Sequence, residues 1–258
     1  MTSEQLVSLS HTPDGVVTLS MATPGKPSVV TRESATAMQQ ALAEVAAMPQ
    51  ARVLVLRSAG KSFNAGGDLK AIDSTLVDSD RLLGAIIDAF HASILALRRL
   101  PIPVIGSVYG AAAGGGFSLA LACDQLIVAS NARFVVAYPA LGTSSDGGLS
   151  HFLTKRLGAV KALEIVLGSG TINAAEAQAL GLAVKVVDDA SLDAETAAYA
   201  AKIALLAPQS VREFKRLIAG AEDDGLEAQL AREREAFLRC AKTEDFRKRV
   251  GAFLQKRA

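Results

Sequence analysis

Two stretches of small residues carry the most legible chemistry in this sequence. They are Ser62-Phe63-Asn64-Ala65-Gly66-Gly67-Asp68-Leu69-Lys70 and Gly110-Ala111-Ala112-Ala113-Gly114-Gly115-Gly116. Each follows a predicted strand, and the second opens into a predicted helix. Small residues let a ligand approach the main chain closely. Amides at a helix start lack intrahelical acceptors and carry partial positive charge. Two such loops facing each other can donate two hydrogen bonds to one oxygen, the arrangement that holds a thioester enolate or a tetrahedral oxyanion. Glycines that merely make tight turns are the simpler reading of one isolated loop. A nucleotide-phosphate loop does not fit, because neither the Gly-Lys-Ser/Thr ending nor the GxGxxG spacing is present. His11, His91 and His151 do not cluster at ligand spacing, so no metal is expected. Cys123 and Cys240 form no CxxC pair and read as buried apolar residues.

The elements that must position these loops follow from periodicity and punctuation. Strands are predicted over 16–21, 53–57, 104–108, 126–129, 134–136 and 184–187. Helices are predicted over 32–48, 79–100, 117–122, 147–157, 160–167 and 174–180, with loops over 58–68 and 110–116. From residue 192 the pattern is helical only, broken at Pro208 and Gly225. Strand and helix alternate before that point, so the class is α/β. Half of the 258 residues are hydrophobic, enough for a sizeable core. The charges, 27 Lys and Arg against 26 Asp and Glu, nearly cancel, which argues against nucleic-acid or polybasic membrane partners. No apolar run is long enough to span a bilayer, and residues 1–10 lack the pattern of a signal peptide. A cytoplasmic protein with reduced thiols is expected.

The order and spacing of several segments make the chain resemble the enoyl-CoA hydratase/isomerase (crotonase) family. The matching pieces are Val53-Leu54-Val55-Leu56, residues 62–70, Pro103-Val104-Ile105, residues 109–124, Ala132-Arg133-Phe134, Leu141-Gly142, Gly147-Gly148, Ala174-Ala175-Glu176-Ala177 and Gly181-Leu182. The tail Ala252-Phe253-Leu254-Gln255-Lys256-Arg257 resembles the family's C-terminal signature. The resemblance implies a ββα spiral core, here residues 1–191, and a C-terminal helical trimerisation region, residues 192–258. Homotrimers, often paired into hexamers, are implied. So is a substrate carried as a coenzyme A thioester, with no permanently bound cofactor and no metal. Gly67 and Gly115 match the two oxyanion donors. Ala65, Lys70, Tyr138, Phe253 and Lys256 match substrate-binding positions, the last two reaching a neighbouring subunit's site. For Lys70 and Lys256 a solvated surface lysine is an equal reading. Asp68 and Asp124 read as structural carboxylates.

The sequence departs from the family's hydratases at both of their glutamates, which correspond here to Ser118 and Tyr138. Serine without an activator is a weak base, and a phenol with a pKa of about 10 donates better than it abstracts. Efficient hydration is therefore not expected. Asp146, in Ser144-Ser145-Asp146-Gly147-Gly148, matches the acid/base of the ring-epoxide and enoyl-CoA isomerase branch. One carboxylate suffices there, since isomerisation removes a proton from one carbon and returns it to another. A helix N-cap is the competing reading of Asp146. The same stretch also resembles the aryl-CoA dehalogenase branch, in which Asp146 would be the nucleophile, His91 the general base, and Tyr138 would replace a tryptophan. A packing or surface role is the simpler reading of His91. An isomerase is the expectation, with a CoA-thioester hydrolase or a non-catalytic acyl-CoA binder as alternatives.

Overall fold

The computed structural model describes residues 6–22, 24–168, 170–221 and 225–255. A hairpin of β1 (Val7–His11) and β2 (Val16–Met21) leads to α1 (Arg32–Ala47), β3 (Val53–Ser58), α2 (Leu69–Thr75) and α3 (Ser79–Arg99). Next come β4 (Val104–Val108), β5 (Ala111–Ala113), α4 (Gly115–Ala122), β6 (Gln125–Ala129) and β7 (Arg133–Val135). After them follow α5 (Leu149–Leu157), α6 (Ala159–Leu167), β8 (Thr171–Asn173), α7 (Ala174–Ala179) and β9 (Lys185–Val187). Four helices end the chain: α8 (Leu192–Ala204), α9 (Pro208–Gly220), α10 (Leu226–Ala241) and α11 (Glu244–Gln255).

The larger sheet has six strands in the order β1-β2-β3-β4-β6-β9, and the smaller has three in the order β5-β7-β8. In the larger sheet β2, β3, β4, β6 and β9 run parallel, and only β1 is antiparallel. Each of the turns β4-β5-α4 and β6-β7-α5 gives one strand to each sheet and a helix outside them, which is the expected ββα spiral. Both faces of the larger sheet are covered, so its strands read as continuous apolar runs. Leu54, Leu56 and Leu126 face the main core with Phe63, Phe117 and Phe134, whereas Val53, Val55, Ile105 and Ile127 face the opposite way.

That opposite face is covered by α8 through Leu192 and Ala200, with Thr196 bonded to Ser107 at 3.2 Å. Helix α8 thus packs on the sheet, although a boundary at 191/192 assigns it to the tail. Several short elements escape the sequence pattern. Strand β1 alternates Val7-Ser8-Leu9-Ser10 but was not predicted, and β5 and β8 have three residues each. Helix α4 starts at Gly115, two residues before Phe117, and α5 starts at Leu149 instead of residue 147.

Candidate active site

The loop after β3 is held by its own main chain. Val30 pairs with it in the manner of a parallel strand, donating to the Gly66 carbonyl and accepting from the Asp68 amide. In such a pairing the residue between, Gly67, turns its amide away from Val30. Among the described residues every amide from Phe63 to Asp68 has an acceptor except that of Gly67. Phe63 donates to Tyr109, Asn64 to Ala111, Ala65 to Ser28, Gly66 to the Asn64 side chain and Asp68 to Val30. Asn64 is buried, and its side-chain amide donates to Ser28 Oγ at 3.0 Å, so the loop is fixed from both sides.

The second loop meets the first edge to edge. Asn64 pairs with Ala112, and the Ala113 amide donates to the Asn64 carbonyl at 2.9 Å. A Cβ on Gly116 would lie 2.1 Å from that carbonyl oxygen, so only glycine admits this approach. Gly114 has φ +51 and turns the chain into α4. The Gly115 and Gly116 amides begin that helix and have no acceptor among the described residues, as expected for its first turn. A Cβ on Gly66 would come within 3.4 Å of the Gly115 nitrogen, so the two glycine runs are in contact.

The Phe90 ring, from the middle of α3, links this pair of loops to the third. Its edge would meet a Cβ on Gly115 at 3.3 Å and one on Gly147 at 2.4 Å. The segment after β7 makes a three-residue turn at Ala137, whose φ of +60 is unusual for a residue with a side chain. The Tyr138 amide closes that turn on the Val136 carbonyl at 2.7 Å. The buried Tyr138 phenol then donates to Asp146 Oδ1 at 2.5 Å and lies 3.2 Å from Ser118 Oγ. Ser118 Oγ donates to the Asp146 carbonyl at 2.8 Å. Burial first, and the Asp146 carboxylate second, push the Tyr138 phenol well above its ordinary value. The phenol is therefore a hydrogen-bond donor, not a base.

Asp146 is half-buried and does not cap α5, contrary to the competing expectation. Gly147 and Gly148 both have positive φ, so the chain enters the helix through Gly148, which offers no side-chain cap. The Asp146 Oδ2 atom has no partner among the described residues. His91 comes to the same loop, but its Nε2 accepts the Gly147 amide at 3.1 Å. The lone pair of that nitrogen is occupied by this bond. Asp146, Tyr138, Ser118 and His91 are thus brought together, which sequence spacing alone does not show. The closest signal was the shared correspondence of Ser118 and Tyr138 to the two hydratase acids.

The remaining expected positions are spread wider. Ala65 and Lys70 are exposed on the first loop and on the first turn of α2. Asp68 caps α2 by accepting the Lys70 amide at 3.0 Å and the Ala71 amide at 3.3 Å. Asp124 accepts the Val104 amide and pairs with Arg98 and Lys215, at the other end of the sheet. Phe253 lies on α11, beside a groove between α9, α10 and α11. Lys256 lies outside the described residues. Cys123 is fully buried, and burial pushes its thiol up to about 12. Among the described residues no group of three or more His, Cys, Asp or Glu could hold a metal, and no helix is long and apolar enough to cross a membrane.

Comparison with known proteins identifies the family. The family model described as enoyl-CoA hydratase/isomerase matches residues 11–258. The chain is 34% identical over 254 residues to 1,2-epoxyphenylacetyl-CoA isomerase of Escherichia coli (strain K12), covering 97% of this chain and 96% of that protein. It is 32% identical over 208 residues to a probable enoyl-CoA hydratase of Rhodobacter capsulatus, covering 81% and 80%. The crystal structure of an enoyl-CoA hydratase from Polaromonas sp. JS666 superposes with a TM-score of 0.92 at 33% identity, covering 97% of each chain. These matches over nearly the whole length, on the same two-sheet spiral, establish that this chain belongs to the enoyl-CoA hydratase/isomerase family.

Proposed function

We propose that this enzyme shifts a double bond along an acyl-CoA thioester, with Asp146 as the single acid/base. The thioester oxygen accepts the Gly67 and Gly115 amides. Asp146 Oδ2 takes a proton from the α-carbon of a 3-enoyl thioester, and the electron pair moves onto the carbonyl to give a conjugated enolate. The same carboxyl returns the proton to the γ-carbon, giving the 2-enoyl thioester and regenerating the carboxylate. No water is consumed and no second acid is required.

The observation that carries this reading is the Asp146 side chain. It is released from the helix start and held through Oδ1 by Tyr138, and its Oδ2 is unpartnered among the described residues, as are the Gly67 and Gly115 amides. The residues at the two hydratase positions both hold Asp146, Tyr138 through its carboxylate and Ser118 through its main-chain carbonyl. The hydrolytic alternative needs His91 as a base, and its Nε2 lone pair is committed to Gly147. The E. coli relative, by its name an isomerase of an acyl-CoA, is consistent with this choice. We further propose homotrimers or hexamers, because the groove between α9, α10 and α11 leaves apolar side chains such as Phe214 and Phe237 exposed.

The test is exchange of the α-proton in a panel of CoA thioesters in deuterated water, followed by product analysis. Asp146→Asn should slow exchange and isomerisation about a hundred- to ten-thousandfold, the usual range for a lost general base, while acyl-CoA binding persists. Equal turnover by wild type and variant would remove Asp146 from the chemistry. Exchange without double-bond movement would leave the enolate but exclude the isomerase.

A further inference from the structure

We propose that the cleft between the C-terminal end of α3 and the helix α9 is a binding site for a phosphate group, separate from the thioester site. The cleft encloses about 390 Å³ and is lined by Arg98, Arg99, Arg212, Lys215 and Arg216, with Glu213 the one carboxylate among its walls. Arg212, Lys215 and Arg216 stand on one face of α9 at the spacing of a helical turn. Arg98 and Arg99 meet them from the last turn of α3.

The local carboxylates do not balance these cations. Asp124 bonds Arg98 at 2.9 Å and Lys215 at 2.7 Å, and also accepts the Val104 amide. Glu213 is shared between Arg216 and Arg239, each at 2.7 Å. Arg99 and Arg212 have no carboxylate partner among the described residues. The Nε of Arg212 is buried and bonds nothing among the described residues. A buried guanidinium nitrogen without an acceptor is costly in an isolated protein, and an oxyanion supplies the missing acceptor. Phosphate suits the walls better than a chloride ion does, because its several oxygens match the forked donors of neighbouring arginines.

The position makes this a second site. The glycine loops follow the C-terminal ends of β3 and β4, whereas the cleft adjoins Leu100 and Pro101, just before β4 begins. The five residues of β4 separate the two by about 16 Å at strand rise. Asp124, which precedes the parallel strand β6, anchors two of the cations at that same edge.

The phosphate could be free or carried on a nucleotide, and two titrations distinguish these sources. Calorimetry with inorganic phosphate and with adenosine 3′,5′-bisphosphate, at an ionic strength fixed with chloride, would compare the wild type with Arg99→Gln/Arg212→Met. The methionine keeps the aliphatic packing of Arg212 while removing its charge. Binding of one or both probes by the wild type, weakened by on the order of tenfold or more in the variant, is the expected result. The probe with the larger loss names the source. Without phosphate the variant should melt no lower than the wild type and isomerise at the same rate, since neither residue touches the thioester site. No heat beyond the chloride control, or equal affinity in both proteins for both probes, would overturn the proposal.

Discussion

At the scale of single residues, the proposed chemistry turns on how one carboxylate, Asp146, is held. Tyr138 is buried, and among the described residues its phenol bonds Ser118 and Asp146. Replacing it with phenylalanine leaves Asp146 Oδ1 without its donor, though the ring still fills the same space. A hydrogen bond to a charged group contributes about 1.5–3 kcal/mol, so kcat should fall roughly ten- to a hundredfold with KM little changed. Rates and pH profiles on the preferred thioester would check this, and an unchanged kcat would mean that the carboxylate needs no support. Burial and the neighbouring carboxylate raise the phenol above its ordinary value of 10.0. The proton is therefore bound more tightly in the folded state than in the unfolded chain. Stability linked to Tyr138 is fully present below about pH 10 and is lost as pH rises toward the folded pKa. Melting curves above pH 10 should accordingly fall faster for the wild type than for Tyr138→Phe, while the two run parallel near neutrality.

Among the elements, the glycines separate positions where space is forbidden from positions where it is free. Gly116→Ala would drive a methyl group into the Asn64 carbonyl, main chain against main chain, at the contact between the two loops. A loss of about 1–3 kcal/mol in denaturant unfolding, with a larger proportional loss of activity, is expected. Gly84, inside α3, has nothing within 4 Å of such a methyl group. Gly84→Ala should instead stabilise by about 0.5–1 kcal/mol through helix propensity alone. The sequence made the long elements readable because their apolar periodicity persists over many residues, as in α3 with Phe90, Ile94 and Leu97 buried. The two glycine loops were readable because their composition has few other uses. What stayed hidden depends on contacts distant in sequence. Three-residue strands such as β5 exist through partners more than twenty positions away, Ala111 with Arg133 for example. The freeing of Asp146 from the start of α5 depends on two consecutive positive-φ glycines and on a tyrosine eight residues earlier.

For the whole molecule, the question is what covers the C-terminal helices. The groove between α9, α10 and α11 has a volume of about 980 Å³ and is walled by Phe214, Ile218, Phe237, Phe246 and Leu254. Ile218 is 70% exposed and Phe237 65%. At about 25 cal/mol per Å², aromatic side chains left in water forgo a stabilisation that a second surface would supply, and patches of this kind mark interaction sites. Helix α6 adds Val160, Leu163 and Leu167, exposed along one stripe. Self-association through α9 to α11 therefore predicts that Phe237→Asp lowers the mass seen by sedimentation equilibrium, because an unpaired carboxylate at an interface is strongly disfavoured. Phe253 lies beside the same groove, and the tail signature implies that it reaches a neighbour's coenzyme A site. If so, dissociation and a rise in KM for acyl-CoA should appear together in Phe237→Asp, while the isolated subunit keeps its circular dichroism because its spiral core is untouched. An unchanged mass would place the subunit contact elsewhere. A fall in mass with an unchanged KM would confine each thioester site to its own chain.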